Sequence, residues 1–217
     1  MSRYYSFGLR EEWLNSFFLY GESWLKGNTL GPYQLKALIR YLKEAELLDE
    51  KKKPTPLLFL LSQLFKEGKT ALVWQVVWVN LCLNSDLFSW YAKSIPWGER
   101  LKKTELVRLL QEEKNLAERT ARNAVNSLTN TFENSPLGKW FGQKVGKGEY
   151  LKKGLSELSS ELLCYVLNKL GLEPKRESFE KVKELLGVSF YAYTSSIISL
   201  SENEKKLWEE LNFGESS

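Results

Sequence analysis

Apolar residues recur along most of this chain at helical spacing, and the breaks between stripes outline a succession of short helices. Trp13, Phe17 and either Leu14 or Phe18 predict a first helix within 9–19. After a loop at 27–30, Gly31-Pro32 opens a second helix, with proline where its missing N–H costs nothing. Leu35, Leu38, Ile39, Leu42 and Ala45 form its apolar stripe, and Tyr33, Lys36, Arg40 and Lys43 stand opposite. A lysine-rich turn at 49–54 leads to a helical run over 57–65. The apolar stretch 71–83 carries Gln75 and Asn80 and predicts a buried helix. The aromatic cluster Leu87-Phe88-Ser89-Trp90-Tyr91 follows, and Ile95-Pro96-Trp97-Gly98 breaks the pattern.

Residues 102–153 carry the most specific pattern. An amphipathic helix over 104–113, a turn at Lys114-Asn115-Leu116 and a second helix over 117–132 lead into a glycine-and-lysine hairpin at 141–150. Helix, turn, helix and basic β-wing in that order read as a winged helix. Ala121, Ala124, Val125, Leu128 and Phe132 make the core-facing stripe of the second helix, and Asn115 with Glu118 fits a capping box at its start. Further helices are predicted over 158–170, 177–186, 190–200 and 202–211. The expected fold is mostly α, with tandem helix–turn–helix and winged-helix units and one short β-wing. The expected domains are an N-terminal helix–turn–helix-like unit (1–69) with its wing reduced to a lysine-rich loop, a central winged helix (70–153) and an acidic helical unit (154–217).

Composition narrows the chemistry. With 43% hydrophobic residues and eight Trp in 217 residues, a packed core is expected. No apolar signal region follows the N-terminus, and 71–83 falls short of the ~20 residues that span a bilayer, so a cytoplasmic protein is expected. The chain has no histidine, which removes Ser-His-Asp and Cys-His catalysis and imidazole metal ligation. Cys82 and Cys164 lie in apolar helical surroundings without metal-ligand spacing and read as buried thiols. Residues 144–148 lack the order of a phosphate-binding P-loop, and the paired glutamates read as helix-surface charge. No cofactor, metal or catalytic role is expected, and the chain is not expected to be an enzyme.

The net charge of +4 is unevenly spread. Residues 100–153 hold 12 basic against 6 acidic side chains, whereas 154–217 hold 7 against 11. A basic centre points to an anionic partner, and an acidic end to a protein partner or a second copy of the chain. Arg119, Arg122, Asn123 and Asn126 project from one face of the 117–132 helix. Arg can grip phosphate or guanine and Asn can pair with adenine, so this face suits double-stranded DNA. Thr120 and Ser127 could add phosphate contacts. Lys144 and Lys147 on the hairpin would hold the backbone, with Lys139, Lys152 and Lys153 nearby. Tyr33, Gln34, Lys36 and Arg40 form a weaker face of the same kind. A surface for docking protein and a merely solvated face show the same pattern. Tyr33 and Tyr150 would serve base stacking if single-stranded nucleic acid or RNA were the partner.

Several segments resemble a known family: Phe7-Gly8-Leu9-Arg10-Glu11-Glu12-Trp13-Leu14, Leu30-Gly31-Pro32-Tyr33-Gln34, 40–49, Thr55-Pro56-Leu57, 73–80, 87–91 and 118–124. They are similar to an uncharacterised bacterial and archaeal family encoded beside, or fused behind, phosphoadenosine-phosphosulfate-reductase-like enzymes. Some of those neighbourhoods are defence or DNA-modification loci. The likeness covers 7–153. It implies helical winged-helix units that act as a DNA-binding or docking accessory to such an enzyme. It supplies no catalytic residues, since neither an ATP-binding loop nor a cysteine cluster is present in this chain.

Overall fold

The computed structural model describes residues 6–200 of the chain. Among them the fold is mostly helical, with twelve α-helices and one small three-stranded antiparallel sheet. Helices α1 (Glu11–Tyr20) and α2 (Glu22–Gly27) meet at Gly21, and α3 (Pro32–Glu44) begins on proline. The Gln34 side chain accepts from the Gly31 N–H at 3.1 Å, closing the first turn of α3. Thr55 caps α4 (Pro56–Lys66), and Lys51, Lys52 and Lys53 stand exposed on the turn closed by the Leu48–Pro54 bridge.

The centre of the molecule is α5 (Thr70–Asn84), followed by α6 (Asp86–Ser94) across a bend of 96°. Apolar residues surround α5 on nearly every side because neighbours do too. Trp78 stacks on Phe141 at 4.1 Å and meets Phe88 and Tyr91 edge-on. Its indole N–H donates to the Leu185 carbonyl at 2.8 Å. Asn80 is fully buried, and its polar ends are satisfied: it donates to the Ala45 carbonyl and accepts from the Tyr165 hydroxyl. These bonds draw on all three stretches expected as separate units, and one hydrophobic core runs from Leu9 to Tyr193. Cys82 and Cys164 are both buried and outside any disulfide, and burial pushes the Cys82 thiol up.

The middle of the chain continues as β1 (Arg100–Lys102), α7 (Lys103–Lys114), α8 (Glu118–Asn134), α9 (Leu137–Phe141), β2 (Gln143–Gly146) and β3 (Glu149–Leu151). Strand β3 lies between the other two, pairing Leu101 with Tyr150 on one side and Lys144 with Tyr150 on the other. The hairpin turns at Lys147-Gly148, where φ of +66° suits glycine. The remaining elements are α10 (Ser160–Leu170), a 3-10 turn (Arg176–Ser178), α11 (Phe179–Leu186) and α12 (Phe190–Ile198). The helix expected over 202–211 lies outside the described residues.

One local expectation is corrected. Asn115 forms no capping box with Glu118: it is left-handed (φ 48°, ψ 52°) and ends α7, a conformation asparagine tolerates. The cap position before α8 is held by Ala117, whose side chain makes no capping hydrogen bond. The short elements α2, α9 and β1 were not predicted, since each is too brief to show a period.

Candidate nucleic-acid interface

Helix α8 presents one face to solvent and is walled on both flanks. Arg119, Arg122, Asn126 and Glu133 follow at i, i+3, i+7 and i+14, within one arc of the helix. On one flank the apolar stripe of α8, including Ala121, Ala124, Val125 and Leu128, enters the core. The N-terminal segment also runs alongside its second half. Thr131 accepts from the Leu9 N–H at 2.9 Å, the Ser127 hydroxyl meets Tyr41 and the Phe7 carbonyl, and Asn130 donates to the Ser6 carbonyl at 2.7 Å. The approach is so close that a Cβ on Gly8 would run into the backbone of Thr131 and Asn130. Ser127 therefore faces inward and is not a phosphate contact.

On the other flank, α7 and α8 enclose an open groove of about 450 Å³. Its α7 wall carries Lys103, Val107 and Arg108, and its α8 wall Glu118, Arg122 and Asn126. Arg119 is exposed and has no ion pair among the described residues. Arg122 is 63% exposed at its side chain and pairs with Glu118 one turn earlier. Asn123 and Asn126 are half-buried, and the Thr120 N–H is used in the first turn of the helix. Four of the predicted residues, Arg119, Arg122, Asn123 and Asn126, thus share the first two turns of α8. Lys103 and Arg108, which sequence reasoning did not select, join them from α7. Their basic character was visible, but the groove that gives it direction is tertiary.

At its far end the groove meets the hairpin. The Lys103 N–H donates to the Gly148 carbonyl at 2.8 Å, which holds the hairpin against the start of α7. Lys144 donates to the Glu133 carboxylate at 2.7 Å, and the Tyr150 hydroxyl donates to its other oxygen. Desolvation works to raise the Glu133 carboxyl, but the hydrogen bonds from Lys144 and Tyr150 outweigh it and hold it below the usual range. Burial and the Glu133 carboxylate push Tyr150 up to about 12, so it stays a neutral donor. Burial draws the Lys103 amine down, against the attraction of Glu133. Lys147 is exposed at the hairpin turn, as are Lys139 and Lys153 nearby.

Other predicted residues lie elsewhere. Tyr150 is only 3% exposed, so it cannot stack on a base. Lys152 is also a correction: it is 1% exposed, and its Nζ donates to the carbonyls of Tyr91, Ala92 and Ile95 at the end of α6. The face of Trp97 lies 3.9 Å away. Burial pulls this amine down to about 7, while the three carbonyl oxygens and the indole favour its charged form. On α3, Arg40 is bound to Glu44 at 2.7 Å in a largely buried pair, and Lys36 reaches over the exposed Tyr33 ring at 5.8 Å. On α3, therefore, Tyr33 and Lys36 stand exposed whereas Arg40 is held by Glu44. Among the described residues no group of three His, Cys, Asp or Glu could hold a metal, and no single helix is long and apolar enough to cross a membrane. No protein-family model, curated protein or solved structure matches the chain.

Proposed function

We propose that the chain binds duplex DNA, with residues 86–151 acting as a winged helix. The order α6, β1, α7, α8, short α9, hairpin, with strand order β1-β3-β2, supports that reading. In it the first two turns of α8 enter or border the major groove. Arg119, Arg122, Asn123 and Asn126 face base edges and phosphates, and Lys103, Arg108, Lys144 and Lys147 follow the backbone. The observation that carries the proposal is the exposure of Arg119 and Arg122 beside a groove with basic residues on both walls. The second half of α8 contributes little, because the N-terminal segment lies beside it.

The resemblance to the family found beside phosphoadenosine-phosphosulfate-reductase-like enzymes makes this DNA binder an accessory of a defence or DNA-modification system. Fluorescence anisotropy on a duplex at about 50–200 mM salt tests the proposal: the logarithm of affinity should fall linearly with that of salt, and R119A/R122A should weaken binding and flatten the slope. Unchanged binding by the double variant removes the proposal. A second reading, an adaptor docking such an enzyme, is favoured by α12, where Tyr191 and Ile198 are 81% and 85% exposed. Co-elution with the enzyme and no response to DNA would select that reading.

A further inference from the structure

We infer that Glu133 is an internal stand-in for backbone phosphate that restrains Lys144 of the hairpin until a polyanion takes Lys144 from it. The inference rests on the DNA-binding reading above and concerns the same surface. The groups around this carboxylate are those that would receive a phosphate. Lys144 donates at 2.7 Å, the Tyr150 hydroxyl donates to the second oxygen, and Lys103 attracts it through space. One amine and one hydroxyl, each donating to a different oxygen of the same carboxylate, make an anion site, here filled by the chain's own side chain.

Its position gives the contact a consequence. Glu133 lies on the same arc of α8 as Arg119, Arg122 and Asn126, at the end where the hairpin approaches. A duplex seated on that arc brings its backbone to Lys144, whose side chain is 49% exposed and can turn outward on its flexible stem. Glu133 cannot follow, because the buried Tyr150 hydroxyl holds it. Binding therefore exchanges one ion pair for another, so the contact of Lys144 with the backbone gains less in the native protein than it would from an unpaired lysine. Removing the carboxylate's charge converts Lys144 from a neutralised to a free cation. Glu133 is in this sense a residue that lowers affinity for any polyanion and leaves discrimination to the first turns of α8.

The test uses the full chain with Glu133→Gln, Lys144→Ala and both together. Glutamine keeps an acceptor for the Tyr150 hydroxyl, and thermal melts identify any variant that fails to fold. Titrations with a duplex, and separately with inorganic pyrophosphate, supply two readouts. Glu133→Gln should bind the duplex roughly fivefold more tightly, as expected for releasing one exposed ion pair. Its salt slope should steepen by about one. Lys144→Ala should cost more duplex affinity in the Glu133→Gln background than in the native one, and should abolish the gain in the double variant. Equal duplex binding by the native protein and Glu133→Gln would overturn the inference and leave the DNA reading standing. If neither binds duplex but Glu133→Gln gains pyrophosphate binding that depends on Lys144, the inference stands and the DNA reading fails. Should Glu133→Gln gain affinity for neither probe, or keep its gain without Lys144, the inference is overturned.

Discussion

Helices α3 and α8 show the same pattern in sequence, an apolar stripe with basic residues opposite, yet they meet different fates. On α8 the arginines stand in solvent beside a groove, and the neighbouring carboxylate Glu118 is itself 62% exposed. On α3 the corresponding arginine lies against Glu44, with side-chain exposures of 22% and 13%. The carboxylates respond oppositely. Burial raises Glu44 against the pull of Arg40, whereas the partners of Glu133 lower it in spite of desolvation. An amphipathic stripe thus decides which side of a helix is polar; the packing around it decides whether that side is a surface for a partner or a support for the fold.

The contrast is broken most directly at the arginines. R119A/R122A should cost about 2–4 kcal/mol of duplex affinity, roughly 30- to 1,000-fold, with thermal stability nearly unchanged. Comparable loss from R40A would show that the two faces act together. R40A should instead leave duplex affinity unaltered and lower stability by about 1–3 kcal/mol in urea denaturation, because it leaves the Glu44 carboxylate buried without its partner. A smaller effect compares E133Q with E44Q in melts from about pH 3 to pH 7. Glu133 has a folded pKa below its unfolded one. Its stabilisation is present above the unfolded value of about 4.3 and is lost as pH falls through the folded value, so E133Q should be the less stable protein at neutral pH only. Glu44 is raised, so its contribution is fullest below about 4.3 and is lost as pH rises through the folded value. E44Q should therefore compare better with the native protein at neutral pH than at acid pH. The same sign for both variants would end the distinction.

Long periodic segments were legible from the residues alone. The stripe of α8 lies in the core as its spacing requires, and Pro32, Pro56 and Gly187 mark helix ends where their backbone preferences put them. The hairpin was legible from its glycines and lysines, but its third strand was not, because Arg100–Lys102 is a strand only through its pairing with Glu149–Leu151. In the candidate site, residue types and helical spacing pointed to Arg119, Arg122, Asn123 and Asn126. They gave no account of the N-terminal segment beside Ser127 and Thr131, which depends on contacts more than a hundred residues apart in sequence. Composition also misassigned Lys152 and Tyr150. A lysine counts as surface charge until three carbonyl oxygens at a helix end offer it an internal place, and a tyrosine near a hairpin tip looks accessible until its strand is paired on both sides.

The interior placement of Lys152 makes it a natural reporter. An amine-selective reagent added to the intact protein should label Lys139, Lys147 and Lys153 freely while sparing position 152. The rate at which that one position becomes modified, read by peptide mass spectrometry, would measure how often the sheet's central strand parts from the end of α6.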